Sequence, residues 1–162
     1  ICAYLFLEVI TLTLFIMVPV HMTIRPGIET ISADSFVAWG LKLCYWIDHP
    51  TCCFPSLHVA TAMLAGLSSR RAHPVAGRIM IAIAIAISLS TLLVKQHFIA
   101  DVILGATLAF IADYLAHRRS APLNSERLSY PLKALLIPLV MFSLILTLFV
   151  LLYARGWTPW LG

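Results

Sequence analysis

The chain has 162 residues, of which 61% are hydrophobic and only 11% charged, against about 25% charged in a soluble domain. With a mean hydropathy of +0.96, this composition argues against an ordinary soluble domain and predicts an integral membrane protein. The net charge of +4 does not imply a nucleic-acid partner, because Lys and Arg at membrane edges report orientation instead.

Ile1 to Val20 is apolar apart from Glu8 and two threonines, about the ~20 residues a span needs. An acid within a span is expected to face protein or water, which makes Glu8 a functional candidate. The first residue is Ile and no charged start precedes the apolar run, so an upstream span is expected to be missing from this sequence. A polar connection from His21 to Ala33 holds Arg25-Pro26-Gly27. Asp34 or Ser35 then caps a short helix in which Phe36, Trp39, Leu43 and Trp46 recur at helical spacing. Its Trp and Tyr content predicts a helix lying along the membrane surface. Cys44, Cys52 and Cys53 crowd the following loop with His49, but their spacing matches no Cys-x-x-Cys pattern, so no metal site is expected. A disulfide from Cys44 to Cys52 or Cys53 and free buried thiols are both open.

A second span is expected from Pro55 to Ser69, ended by Arg70-Arg71-Ala72-His73-Pro74. The third runs from Val75 to Val94. Its alternation from Ile81 to Ile87 has the period of a strand, but an isolated strand cannot satisfy its backbone in lipid, so a helix is expected. The fourth runs from His97 to Ala116, and the fifth from Pro131 to Tyr153. The predicted fold is an all-α, polytopic transmembrane bundle forming one domain over 1–162, with about five spans, a short interfacial helix and a peripheral C-terminal span over 131–155. Small residues at intervals of four, namely Ala62 and Gly66, Ala82, Ala86 and Ser90, then Gly105 and Ala109, predict that spans two to four form the tight core. Arg70, Arg71, Arg78, Arg118, Arg119, Arg127 and Lys133 fall on one side, against Arg25, Lys42, Lys95 and Arg155 on the other. The arginine-rich side should be cytoplasmic.

Two histidines then enter the bilayer from the opposite rim. His97 and Asp101 are four apart, so on a helix the carboxylate can hold one ring nitrogen and leave the other as a free lone pair. That prepares a nucleophile or a ligand. In Phe54-Pro55-Ser56-Leu57-His58, proline suits a first helical position, the exposed amides of Ser56, Leu57 and His58 form an anion site, and Ser56 adds a hydroxyl. Arg25 and Lys95 lie beside the histidines in this topology. Positioned positive charge, an in-line nucleophile and a proton donor suit phosphoryl transfer without a metal or other cofactor.

Pro55-Ser56-x-His58 and His97-x-x-x-Asp101, preceded by Arg25-Pro26, resemble the three signature motifs of the type 2 phosphatidic acid phosphatase superfamily of integral membrane lipid phosphatases. The wording Phe-Pro-Ser-Leu-His-Val-Ala looks most like its inositolphosphotransferase branch. The resemblance covers 25–105. It implies a phosphoryl transfer on a lipid phosphate or phospholipid headgroup, in which His97 becomes a phosphohistidine, Asp101 orients it and His58 acts as acid and then base. Arg25, Ser56 and the first amides of the second span, Leu57 included, would hold the phosphate. There are departures: Val18 stands where relatives have Lys, Thr91 where they have Arg, and Leu57 where they have Gly. If the third helix extends through Thr91 and Lys95, the Lys95 ammonium is expected to stand in for the absent arginine. Alternatives of other classes are a bis-histidine membrane cytochrome using His58 and His97 and a non-catalytic protein that binds anionic lipid.

Overall fold

The computed structural model describes residues 1–48, 50–51, 53–118 and 132–161, and every regular element among them is helical. The helices are α1 (Cys2–Met17), α2 (Phe36–Ile47), α3 (Leu57–Ala72), α4 (Pro74–Leu93), α5 (Ile99–Arg118) and α6 (Leu132–Ala154), with single 3-10 turns at Ile28–Thr30 and Pro159–Leu161. The Ile81–Ile87 alternation lies inside α4, so length and backbone satisfaction outweigh its strand-like period. Helix ends follow local chemistry. Pro19 disfavours helical backbone at Val18, where α1 stops short of the expected Val20. Ser56 caps α3, His73 caps α4 by accepting from the Ala76 amide, and Pro74 opens α4.

Among the described residues two helices, α4 and α5, are long and apolar enough to cross a membrane. At 20 residues each they are about 30 Å long, one hydrocarbon thickness, whereas the 16 residues of α1 and of α3 give about 24 Å.

The chain separates into two compact units. The first, Ile1–Arg25 with Pro50–Arg127, holds α1, α3, α4 and α5. Here α3 is central, packing on α4, α5 and α1, and the core comprises Leu7, Ala60, Leu64, Ala109 and Ala112. Close approaches between helices need glycine: a Cβ on Gly66 would come within 3.0 Å of the Ile81 nitrogen in α4, and one on Gly105 within 2.5 Å of the Ser56 carbonyl oxygen. The small-residue expectation therefore holds for Gly66, Gly105 and Ala109 but not for α4. There Ala82, Ala86 and Ser90 are exposed, while Gly77, Ala84 and Thr91 are buried. The tight His73–Pro74 turn seats Gly77 against the Arg70 backbone, which selects a stripe of period seven toward α3. At the arginine-rich end, Arg71 donates from Nε and Nη2 to the two Asp113 carboxylate oxygens (3.3 and 2.5 Å), tying α3 to α5. His117 Nδ1 donates to the Asp113 carbonyl at 2.7 Å.

The second unit, Pro26–His49 with Leu128–Gly162, pairs α2 with the end of α6. Trp39, only 2% exposed, meets Phe36, Phe149, Tyr153 and Trp160, and its indole donates to the Trp157 carbonyl at 2.7 Å. Sequence alone offered α2 no core to join; the aromatic end of α6 supplies one. From Leu139 to Leu151 the residues of α6 are exposed. His49, Cys52, Arg119 and Arg127 lie outside the described residues, as does the side chain of Lys133.

Candidate active site

Three short segments of the first unit meet at the end opposite Arg71 and Asp113: the turn before α3, the α4–α5 connection and the first turn of α5. The connection is set by how α4 stops. Val94 caps the helix, and Lys95 takes a left-handed backbone (φ 53°). The Lys95 amide donates to the Leu92 carbonyl (3.1 Å) and the Gln96 amide to the Thr91 carbonyl (2.9 Å), the paired bonds of a Schellman ending. The His97 amide also reaches the Thr91 carbonyl, at 3.4 Å. His97 is therefore held in the connection rather than on α5.

Its ring is buried, 4% exposed, and has a neighbour on each nitrogen. Nδ1 lies 2.9 Å from the Cys53 carbonyl oxygen. A carbonyl only accepts, so Nδ1 carries a proton, and in the neutral ring Nε2 presents its lone pair. Nε2 faces Nδ1 of His58 at 3.4 Å, with ring centroids 5.6 Å apart. His58 stands in the first turn of α3 and is exposed. The two histidines, expected to lie at one end of the bundle, face one another there.

Asp101 differs from expectation in its hydrogen bonding. Because His97 precedes α5, helical i to i+4 geometry does not apply, and Asp101 Oδ2 lies 3.6 Å from His97 Nδ1. The same oxygen accepts from the Phe98 amide at 2.7 Å, capping the start of α5. The carboxylate is 2% exposed.

Pro55 does not open a helix but precedes the cap, and α3 begins at Leu57. Ser56 is fully buried; its hydroxyl accepts from the Val59 amide at 3.4 Å, and its amide donates to the Asp101 carbonyl at 3.1 Å. This last bond, with the close approach at Gly105, docks the start of α3 onto the first turns of α5. The amides of Leu57 and His58 remain at the α3 N-terminus, where the helix dipole favours an anion.

The remaining candidates are less closely grouped. Arg25 is half-buried, with its Nη2 shielded from solvent. Thr91 is buried and its hydroxyl donates to the Ser88 carbonyl at 2.9 Å. Lys95 is exposed. Since α4 ends at Leu93, Thr91 and Lys95 do not share a helical face, and the expected geometry of a stand-in cation is corrected on that point. Two partners were missed from sequence. The Cys53 carbonyl is main chain and leaves no sequence signal, whereas Asp113 had one: an acid inside an apolar run, four residues before His117. The Cys53 thiol donates to the Pro50 carbonyl at 3.2 Å, and any pairing of Cys44 with Cys52 falls outside the described residues.

Comparison with known proteins gave one family: the model of the PAP2 superfamily matches residues 1–115. No curated protein and no solved structure matched the chain.

Proposed function

Because the chain belongs to the PAP2 superfamily, we propose that it is a phosphatase-type phosphoryl-transfer enzyme acting on a lipid phosphate or a phospholipid headgroup. The observation that carries this is the ring pair: His97 Nε2, the unprotonated nitrogen when the ring is neutral and bonded through Nδ1, lies 3.4 Å from His58 Nδ1. In the first half-reaction Nε2 attacks phosphorus, an N–P bond forms, and the P–O bond to the leaving alcohol breaks. His58, as imidazolium, gives its proton to that oxygen. In the second, neutral His58 takes a proton from water or an alcohol, whose oxygen attacks phosphorus and releases Nε2. At 3.4 Å the two rings touch, so substrate enters as the exposed His58 ring swings outward. The Leu57 and His58 amides, Arg25 and Lys95 supply positive potential for the phosphate.

The lipid assignment rests on the ends of α4 and α5, which are membrane-length helices joined by the connection that holds His97. In this proposal α1, α3 and α6 also span the bilayer, Arg70, Arg71 and Arg118 face the cytoplasm, and the site opens to the periplasm, exterior or an organelle lumen. The departures at Val18, Leu57 and Thr91 favour, as the second choice, a headgroup transferase resembling the inositolphosphotransferase branch.

A panel of lipid phosphates and phospholipids tests the function. Release of inorganic phosphate supports a hydrolase, and a new phospholipid supports a transferase. Binding without turnover points to a non-catalytic lipid-binding protein, and a Soret band in the purified protein to the bis-histidine cytochrome.

A further inference from the structure

We propose that the groove between the start of α1 and the end of α5 is a binding site for an anionic phospholipid, with an acyl chain lying along the groove and the headgroup phosphate on Arg118. The proposal rests on the membrane placement in the reading above but not on its chemistry. The groove lies at the far end of α5 from His97, ~30 Å away by the length of a 20-residue helix.

The groove follows from side-chain size. In the second turn of α1, Leu7 is buried and packs with Ala60, Leu64, Ala109 and Ala112, which closes α1 onto α3 and α5. Toward the arginine-rich end the lining residues are Ala3 on α1 with Ala112 and Ala116 on α5, too short to fill the crossing, while Phe6 and Leu115 are exposed beside them. What remains is a groove of about 890 Å³, within the ~300–1,000 Å³ of sites that enclose a small ligand.

The chemistry of the walls narrows the occupant. Arg118 is the one charged side chain among the lining residues, and the rest of the surface is apolar but for the Cys2 thiol. A soluble anion could use the guanidinium and would leave the apolar wall uncovered; a phospholipid matches both, chain to wall and phosphate to the forked donors of arginine. Charge then decides which phospholipid stays. Arg70, Arg71, Arg78 and Arg118 are exposed at this end, and the Asp113 carboxylate beside Ala112 is already held by Arg71 at 2.5 Å, so it does not oppose an anion. In the proposed topology this is the cytoplasmic rim, where basic pockets between membrane helices take anionic headgroups. A lipid seated here braces α1 against α5 next to the Arg71–Asp113 tie and stabilises the folded chain by mass action.

Native mass spectrometry of the full chain, released from detergent micelles containing dioleoylphosphatidylglycerol or dioleoylphosphatidylcholine, tests the proposal. Wild type is expected to retain one phosphatidylglycerol about 10-fold more tightly than phosphatidylcholine, the scale of one hydrogen-bonded charge. Arg118→Gln should remove most of that preference. Arg78→Gln deletes the same charge from α4 outside the groove and should keep it, as should His97→Ala, which disables the candidate active site. Ala116→Phe, at a half-buried position, fills the groove and should lower retention of both lipids. Equal retention of the two lipids by wild type would overturn the proposal, and so would a loss in Arg78→Gln as large as in Arg118→Gln, which would reduce the effect to diffuse surface charge. Loss in His97→Ala with Arg118→Gln unaffected would place the lipid in the candidate active site instead, and a lipid-free dimer would put a second copy of the chain in the groove; either result overturns it. A wild type that keeps the preference but turns over no lipid phosphate refutes the proposed function alone, whereas turnover without the preference refutes this inference alone.

Discussion

Gly105→Ala is the substitution through which packing should report on chemistry. The added Cβ would sit 2.5 Å from the Ser56 carbonyl oxygen, and reaching even 3.0 Å requires the α3 N-terminus to retreat by the 0.5 Å difference. That end of α3 carries His58, and its Ser56 amide is bonded to Asp101 at 3.1 Å. Overpacking costs about 1–3 kcal/mol and a weakened buried hydrogen bond about 1 kcal/mol more, offset by about 1 kcal/mol of better helix propensity. A net loss of about 1–3 kcal/mol is expected, measured by denaturation in detergent. The effect on rate should be larger in proportion, because displacing a catalytic group by 1 Å costs about 100-fold. The control is Gly40→Ala in α2, where a Cβ meets nothing within 4 Å; it should stabilise by about 1 kcal/mol and leave activity unchanged. Wild-type stability and rate in Gly105→Ala would refute the claim that this contact sets the site.

Lys95→Gly should raise stability by about 1 kcal/mol by relieving a left-handed backbone, while lowering kcat/KM about 10-fold if the ammonium serves the phosphate. Thr91→Arg, at a position 5% exposed, should destabilise by about 2 kcal/mol or more and not rescue that loss; rescue would restore the idea of a shared cation position. Arg71→Leu strips the bidentate partner from Asp113 and should cost about 1–3 kcal/mol in a denaturation experiment without altering KM. For topology, a cysteine placed between Arg118 and Arg127 should label only with a permeant thiol reagent, and one near Ile31 with an impermeant one as well; the reverse pattern would put catalysis in the cytoplasm.

Helix number and order were legible because hydropathy and helix-ending residues such as His73 and Pro74 act locally, whereas the stop at Pro19 was overrun. The pairing of His58 with His97 was legible too, since two helices between them return the chain to the same end. What escaped depends on the geometry of connections. A proline before a buried N-cap and a proline at the first helical position leave the same letters, so Pro55 was misplaced by two residues. The periodicity of α4 was equally consistent with a small-residue face at Ala82, Ala86 and Ser90 and with the face at Gly77, Ala84 and Thr91, and only the seating of Gly77 against Arg70 selects the second. The distance from Asp101 Oδ2 to His97 Nδ1, 3.6 Å, was not legible, because spacing of four gives a shared helical face only when both residues are helical, and α5 begins two residues after His97. Main-chain partners such as the Cys53 carbonyl are invisible to any reading of side-chain identity.

The central claim is that His97 Nε2 bonds to phosphorus. Rapid acid-free quenching after incubation with ³²P-labelled lipid phosphate should trap a labelled, acid-labile and base-stable protein adduct in wild type. The label should be absent from His97→Ala, and should persist in His58→Ala when the leaving group is acidic enough to depart unprotonated. Equal labelling of wild type and His97→Ala would contradict the account.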